Sequence, residues 1–265
     1  MRLDRDLQKE GLREDLQNDL CLRLEFGVHP KHTAGFCKRL NMGTDLLRRL
    51  ISLPEKVAFG EVGLDYTVPS AEWEPQWRML THLLKELRGE IDGKPLVIHC
   101  REAVCPTPRR AEEDLLAILR KEVQADHPIQ VHYSNGTEAA VDRWLQAFPN
   151  THVSVGGAAT TLTQQEREGL AHIPKDRLLL ESDAPYAAPQ TASKGGTSVD
   201  SSATHPYTLV QVVRLVAEVH QSAFSIMLNQ TARNAGQLFS PEDPTAWDRV
   251  GEGLIVERFP GVLGN

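Results

Sequence analysis

Several hallmarks of secreted, membrane and metal-thiolate proteins are missing from this chain. It has four cysteines and no Cys-x-x-Cys pair, which argues against a cysteine-based zinc site and against a disulfide scaffold. No run of eighteen apolar residues is present, so we expect no membrane span. Residues 1–6 are charged and lack the apolar core of a signal peptide. We therefore expect reduced cysteines and an intracellular protein, in the cytoplasm, the nucleus or both.

The chain also has fewer basic than acidic residues. The net charge is −7 and the isoelectric point is about 5.8. An acidic chain has no general attraction for nucleic acid, so a polynucleotide substrate would need a local basic surface or bound cations. With 40% apolar and 25% charged residues, the composition is that of an ordinary globular protein with a full core. A chain of 265 residues suits one α/β barrel, and we expect residues 1–265 to form a single domain.

Six short apolar runs have the composition of buried β-strands, and most of the gaps between them carry a helical pattern. This alternation predicts parallel βαβ units. The predicted strands are residues 22–28, 56–60, 95–98, 129–131, 151–155 and 177–180. The clearest predicted helices are residues 73–87, 112–123, 139–148 and 163–172.

The two ends of the chain have other patterns. Leucines spaced four to five residues apart predict an amphipathic helix over residues 3–22. Residues 187–205 are rich in Ser, Thr, Ala and Gly, which predicts a long surface loop of functional or disordered character. Two further helices are predicted near residues 207–220 and 225–239. Residues 241–265 are predicted to form a surface tail.

Four polar residues stand at the ends of separate apolar runs: Glu61, His99, His132 and Asp183. Since all strands of a parallel barrel open on one face at their carboxyl ends, we expect these side chains to converge. Imidazole and carboxylate are ligands of zinc, manganese and related ions, which lower the pKa of a bound water toward neutrality. One such residue alone is usually structural. Four together favour the metal site of a hydrolase, because buried ionisable groups are rare unless paired.

Three more residues are candidate substrate contacts. Arg101 can clamp a phosphate with its fork of donors, and a salt bridge to Glu102 or Asp65 is the equally weighted alternative. Asn135 lies in a polar turn that can cradle an anion at a helix start, although an ordinary N-cap turn also explains it. His29 ends another predicted strand, where a substrate contact and a structural role are equally compatible with the sequence.

Five motifs resemble those of the TatD family of metal-dependent nucleases, in order and in spacing, over about residues 22–240. They are GVHP (27–30), GEVGLDY (60–66), VIHCREA (97–103), VHYSNG (131–136) and LESDAPY (180–186); residues 229–239 resemble the family's closing helix. The resemblance implies an α/β fold of the TIM-like barrel type. It also implies one or two divalent ions (Mg, Mn or Zn) and hydrolysis of phosphodiester bonds in DNA, sometimes in RNA.

By motif position, the resemblance implies that Glu61 binds or bridges metal and that His99 and His132 bind the second metal. Asp183 would bind the first metal and orient the attacking water. TatD-like barrels begin with a strand carrying a His-x-His pair, and no such pair occurs in this sequence. Six strands are predicted where a closed barrel needs eight. We therefore expect a barrel that is incomplete at the N-terminus, at most one tightly bound metal, and weak or absent nuclease activity.

Three functions remain open at this stage. The first is a nuclease acting on nucleic acid, with single-stranded DNA or 3′ ends as the expected substrate. The second is a hydrolase of small esters or amides on the same barrel, and the third is a non-catalytic homologue that binds partners or nucleic acid. Arg101 and the long loop favour an extended anionic substrate. The sequence does not predict the oligomeric state, the choice between DNA and RNA, or the metal.

Overall fold

The central element of the fold is a single parallel sheet. The computed structural model describes residues 24–53, 57–104, 109–132, 136–157, 162–184 and 209–239. Each strand within these ranges pairs in parallel with the next one in the sequence, so the order across the sheet is β1 to β6. The strands are β1 (Leu24–Phe26), β2 (Val57–Asp65), β3 (Leu96–Arg101), β4 (Ile129–His132), β5 (Thr151–Val155) and β6 (Leu178–Leu180).

Helices cover the outer face of the sheet. The predicted helices are confirmed to within one residue at each end, except that α8 begins at the first residue of its described range. The α-helices are α1 (Thr33–Cys37), α2 (Leu40–Ile51), α3 (Trp73–Glu86), α4 (Arg88–Ile91), α5 (Ala111–Glu122), α6 (Glu138–Ala147), α7 (Gln164–His172), α8 (Leu209–Val219) and α9 (Phe224–Phe239). Short 3-10 turns cover Pro30–His32, Ser70–Glu72 and Lys175–Arg177.

The sheet curls into a half-barrel, which confirms the α/β class and the six predicted strands. Two strands run further than predicted, since β2 continues to Asp65 and β3 to Arg101. The polar residues there ended the apolar runs in the sequence, but their backbones still pair with the neighbouring strand. The helix predicted for residues 3–22, the loop at 187–205 and the tail at 241–265 lie outside the described residues.

Local sequence signals account for individual helix ends. The backbone N–H of Glu166 donates to the Thr163 hydroxyl, and the Glu166 carboxylate accepts from the Thr163 N–H, which forms a capping box at the start of α7. Helix α5 carries three acidic residues in its first turn and Arg120 and Lys121 in its last turn. This distribution complements the helix dipole.

Apolar side chains fill two adjoining cores on the helical side of the sheet. The larger one packs β2 to β4 against α3 and α5, with Leu64, Leu83 and Leu119 fully buried. The second packs β5 and β6 against the later helices, with Val153 and Val213 among its members. Because strand side chains alternate between faces, the intervening residues face the concave side, where polar groups collect. None of the described helices is both long and apolar enough to span a bilayer.

Gly63 allows β2 to lie unusually close to β3. Its φ is +151°, and a Cβ at this position would lie 1.9 Å from the carbonyl oxygen of His99. Any other residue would therefore push the two strands apart. The close approach keeps Asp65, two residues further along β2, beside the imidazole of His99.

Candidate metal centre

The four predicted ligands come from the carboxyl ends of four strands. His99 and His132 are register partners on β3 and β4. Glu61 lies at a register shift between Phe59 and Val62, and such a bulge re-aims a side chain relative to a regular strand. Asp183 follows β6 and has a φ of 51°, a left-handed conformation that aspartate tolerates better than most residues.

The structure brings these four side chains together. Oε1 of Glu61 lies 2.6 Å from Nδ1 of His99 and 3.4 Å from Nε2 of His132. Nε2 of His132 lies 3.7 Å from Oδ1 of Asp183. Ligand atoms about 2.1 Å from a shared ion are about 3.0 to 3.4 Å apart in octahedral or tetrahedral geometry. The spacings of these three neighbouring pairs lie on either side of this range.

The electrostatics of the cluster favour a cation. Burial opposes the charged form of His132, but the carboxylates of Asp183 and Glu181 outweigh it and raise its pKa to about 11. Burial also opposes the charge on His99, yet contacts with Asp65 and Glu61 raise its pKa. For Glu61, burial would raise the pKa, but the two histidines lower it. The carboxylates therefore stabilise positive charge at the point where the four side chains meet.

Two further carboxylates belong to the same network. Asp65 Oδ2 lies 3.1 Å from Nε2 of His99, and Glu181 Oε2 lies 2.7 Å from Nδ1 of His132. Neither residue was predicted as a site residue, although both lie within the family motifs. A period of two along a strand places Glu61 and Asp65 on one face, and this alternation was the signal available in the sequence.

A second group of possible ligands overlaps the first. One ligand atom each from His29, Asp65 and His99 lie within 4.8 Å of one another. However, Nζ of Lys31 already lies 3.3 Å from Oδ2 of Asp65. In addition, Nδ1 of His29 accepts a hydrogen bond from the Lys31 backbone N–H, so a metal on the other ring nitrogen would leave the imidazole without a proton. The two groups share His99, and both are candidates for holding a metal ion.

The predicted substrate contacts have different outcomes. Arg101 is exposed beyond His99 on the same face of β3. Within the described ranges it makes no ion pair, and the two carboxylates named above pair with other residues, Asp65 with Lys31 and Glu102 with Arg110. The ring of His29 lies beside that of His99, with the centroids 4.4 Å apart. Asn135 lies outside the described residues, so its role stays a prediction.

The fold is that of the TIM-barrel-like α/β proteins, with polar groups gathered at the carboxyl ends of the strands. A family profile described as "TatD related DNase" matches residues 12–240. The chain therefore belongs to the TatD family, as the five motifs predicted.

Relatives whose names state an activity align with most of this chain. The human 3′-5′ RNA nuclease TATDN2 is 34% identical over 235 residues, covering 88% of this chain and 28% of the human protein. The 3′-5′ ssDNA/RNA exonuclease TatD of Erwinia billingiae is 30% identical over 213 residues, covering 80% of this chain and 76% of the bacterial enzyme. The chain thus spans little more than a quarter of the human relative's length. A crystal structure of a TatD family hydrolase from Entamoeba histolytica has the same fold, with a TM-score of 0.70, 20% identity, and coverage of 89% of this chain and 82% of that one.

Proposed function

We propose that this chain is a metal-dependent 3′-5′ nuclease that hydrolyses phosphodiester bonds of single-stranded DNA or RNA. The observation that carries the proposal is the convergence of Glu61, His99, His132 and Asp183 at spacings of 2.6 to 3.7 Å. The nuclease names of the human and bacterial relatives support the substrate class.

The four residues would hold one Mg, Mn or Zn ion. Such an ion, when bound, lowers the pKa of a water ligand and neutralises charge developing on the phosphate. Asp183 reaches the cluster from the loop after β6, so its carboxylate can orient the attacking water and accept a proton from it. The metal also supplies positive charge that an acidic chain otherwise lacks for a polyanionic substrate.

Arg101 is the proposed phosphate contact. Its guanidinium is exposed, has no ion pair among the described residues, and lies two residues beyond the ligand His99 on the same strand face. A planar fork of donors suits a phosphodiester better than a neutral ester or amide. His29 would act beside it as a hydrogen-bond donor through Nε2, because its Nδ1 is already an acceptor.

A nuclease assay tests the proposal directly. Single-stranded DNA and RNA labelled at the 5′ end are incubated with each ion, with and without a chelator. We expect shortening from the 3′ end that the chelator abolishes, and a loss of about 100-fold or more in Glu61→Ala and His132→Ala. Glu122→Gln, which removes a buried carboxylate paired with Arg88 away from the site, is the control and should retain activity. Unchanged cleavage in both site variants would refute the metal mechanism.

A non-catalytic role is the second candidate. It is favoured by one observation: Lys31 Nζ lies 3.3 Å from Oδ2 of Asp65 and so competes with a metal ion at the group of His29, Asp65 and His99. Nucleic-acid binding without cleavage under any of the three ions, in protein that binds metal, would support this alternative. Cleavage that requires Glu61 would exclude it.

A further inference from the structure

The residues that follow β3 and those that precede α5 meet at the carboxyl rim of the sheet. The Glu102 carboxylate, directly after β3, accepts the backbone N–H groups of Ala111 and Glu112 at 3.0 and 3.2 Å. Its Oε1 also lies 3.5 Å from Nε of Arg110. These contacts hold the start of α5 against the end of β3, so the residues just before α5 lie close to Arg101.

Arg109, the second residue before α5, lies on an aromatic face. Its guanidinium carbon is 4.1 Å from the centroid of the Trp77 ring on α3, which is the geometry of a cation–π contact. Its Nε lies 3.8 Å from Oδ2 of Asp114, and 54% of the arginine side chain is exposed. The ring and the carboxylate therefore orient a guanidinium that solvent still reaches.

Trp77 is itself held in place by hydrogen bonds. Its Nε1 donates to the Tyr66 hydroxyl at 2.7 Å, and that hydroxyl donates to Oδ2 of Asp114 at 2.5 Å. Tyr66 is the first residue after β2, and its backbone N–H donates to the carbonyl of Arg101 at 2.8 Å. The ring beneath Arg109 is thus connected to the strand end that carries Arg101.

Arg109 and Arg110 are more exposed than the carboxylates that pair with them. The two arginine side chains are 54% and 49% exposed, whereas Glu102, Asp114 and Glu112 are 40%, 27% and 5% exposed. All three carboxylates also bind other groups of the protein. An acidic chain needs a local basic surface to attract a polyanion, and the two guanidinium groups provide one at this rim.

We propose that Arg109 binds a backbone phosphate of the nucleic acid on the 5′ side of the cleaved bond, so that Arg101 and Arg109 form a basic strip leading away from the metal centre. The inference rests on the proposed nuclease function. An enzyme that shortens a strand from its 3′ end holds that end at the metal, and the rest of the strand leaves in the 5′ direction. The planar fork of each guanidinium suits one phosphate of that strand.

The direction of the strip follows from the sheet. Asp65 faces the concave side, where it contacts His99. Because side chains alternate along a strand, the next residue, Tyr66, faces the helices, and Arg109 lies on that outer side. Arg101 lies on the same face of β3 as His99, so it is the inner end of the strip and Arg109 is the outer end.

A binding experiment tests the strip without requiring cleavage. The probe is a 5′-labelled oligothymidylate with a chelator present, and fluorescence anisotropy gives the affinity of the full chain at a series of salt concentrations. Arg109→Ala should weaken binding about fivefold, the scale of an exposed ion pair. It should also reduce the slope of log affinity against log salt by about 0.7, because one phosphate contact to a single strand is lost. Arg109→Lys, which keeps the charge, should keep the slope of the parent.

Arg120→Ala is the matched control, since it removes an exposed arginine from the last turn of α5, at the opposite edge of the sheet. Its affinity and salt slope should equal those of the parent. Kinetics with a divalent ion provide a second readout. Arg109→Ala should raise KM for the oligonucleotide with kcat unchanged, and should leave hydrolysis of bis(p-nitrophenyl) phosphate unchanged, because this small diester does not reach Arg109.

The outcomes separate the strip from the proposed nuclease function. An unchanged affinity and slope in Arg109→Ala, or an equal loss in Arg120→Ala, overturns the inference alone. If the parent binds the oligonucleotide but cleaves neither substrate, the nuclease function is refuted, while a lower slope in Arg109→Ala still supports the phosphate contact. A parent chain that binds no oligonucleotide overturns both.

Discussion

His132 and His152 lie on neighbouring strands and face the same concave side of the sheet, yet their surroundings are opposite. His132 stands at the carboxyl end of β4 among three carboxylates, which raise its pKa to about 11 against the opposing effect of burial. His152 is 4% exposed near the start of β5, and neither ring nitrogen has a hydrogen-bond partner within the described part of the chain. Burial, together with the charge of Arg177, lowers its pKa to about 4.

The difference separates a candidate ligand from a structural histidine. Both residues satisfy the simplest sequence criterion, a histidine on a buried strand. Of these two histidines, His132 alone has acceptors placed on both nitrogens, which hold its ring in one orientation and charge state. The position along the strand decides this, because the carboxylates collect at the carboxyl ends.

The largest expected effect is on zinc affinity, when each of the two histidines is replaced by alanine in turn. His132→Ala should weaken zinc binding by about a thousandfold, more than the 10- to 100-fold range of outer partners, because a ligand is lost. His152→Ala should leave zinc affinity unchanged to within about twofold. Competition titration against a chelator measures both. An equal loss of zinc affinity in the two variants would contradict the distinction between the two histidines.

The next effect is on stability at acid pH. His152 titrates near 6.5 in the unfolded chain and near 4 in the folded chain, so the unfolded state binds more protons between these values. Its contribution to the free energy of unfolding therefore falls as the pH drops from 6.5 toward 4, by up to about 3 kcal/mol.

His152→Leu should remove this pH dependence while changing stability at pH 7 by less than about 1 kcal/mol, since no hydrogen bond is lost. Urea denaturation of parent and variant between pH 4.5 and 7 measures the difference, in which other titrating groups cancel. Parallel pH profiles for the two proteins would contradict the assignment.

A smaller effect on zinc affinity is expected from changing Ser154, which lies two residues beyond His152 on the same face of β5. Ser154→Ala removes the 2.7 Å hydrogen bond to Glu181 but leaves Glu181 against His132. The net value of a hydrogen bond to a charged group, about 1.5 kcal/mol, corresponds to a loss of roughly tenfold in zinc affinity. The same titration measures it, and an affinity equal to that of the parent would show that Gln130 alone holds Glu181.

The smallest effect concerns a histidine–carboxylate pair on the surface. Nε2 of His172 lies 2.8 Å from Asp142, almost the same distance as in the His132–Glu181 pair, but the two side chains are 40% and 51% exposed. Asp142→Asn should change the free energy of unfolding by less than about 0.5 kcal/mol, because water and salt screen an exposed pair. Chemical denaturation measures this change, and a loss above 1 kcal/mol would mean that distance matters more than burial.

The sequence predicted the repeating architecture well because strand and helix patterns are local. The strand Thr151–Val155 has the predicted bounds, and the ends of α3, α5, α6 and α7 differ by one residue at most. Helix α2 (Leu40–Ile51) was not predicted individually. The extent of β2 was underestimated because its apolar run ends at Glu61, and only pairing with β3 shows that the strand continues to Asp65.

The site shows the same division. Strand order and residue type indicated Glu61, His99, His132 and Asp183, and the structure brings them together. Asp65 and Glu181 were missed, because their partners His99 and His132 are 34 and 49 residues away along the chain. Arg101 illustrates the reverse case, since the sequence left a phosphate contact and a salt bridge equally open. Among the described residues Arg101 pairs with neither carboxylate, and the structure instead pairs Asp65 with Lys31 and Glu102 with Arg110.

By itself, the sequence determined the order of strands and helices, the family, and the chemical types of the candidate ligands. These depend on composition and short-range periodicity, which are properties of contiguous residues. The tertiary structure decided the distances between the ligands, the nitrogen that each histidine turns toward Glu61, and the contrast between His132 and His152. Such features depend on register, on the bulge at Glu61 and on the close approach at Gly63, where strands distant in sequence meet within a few ångströms.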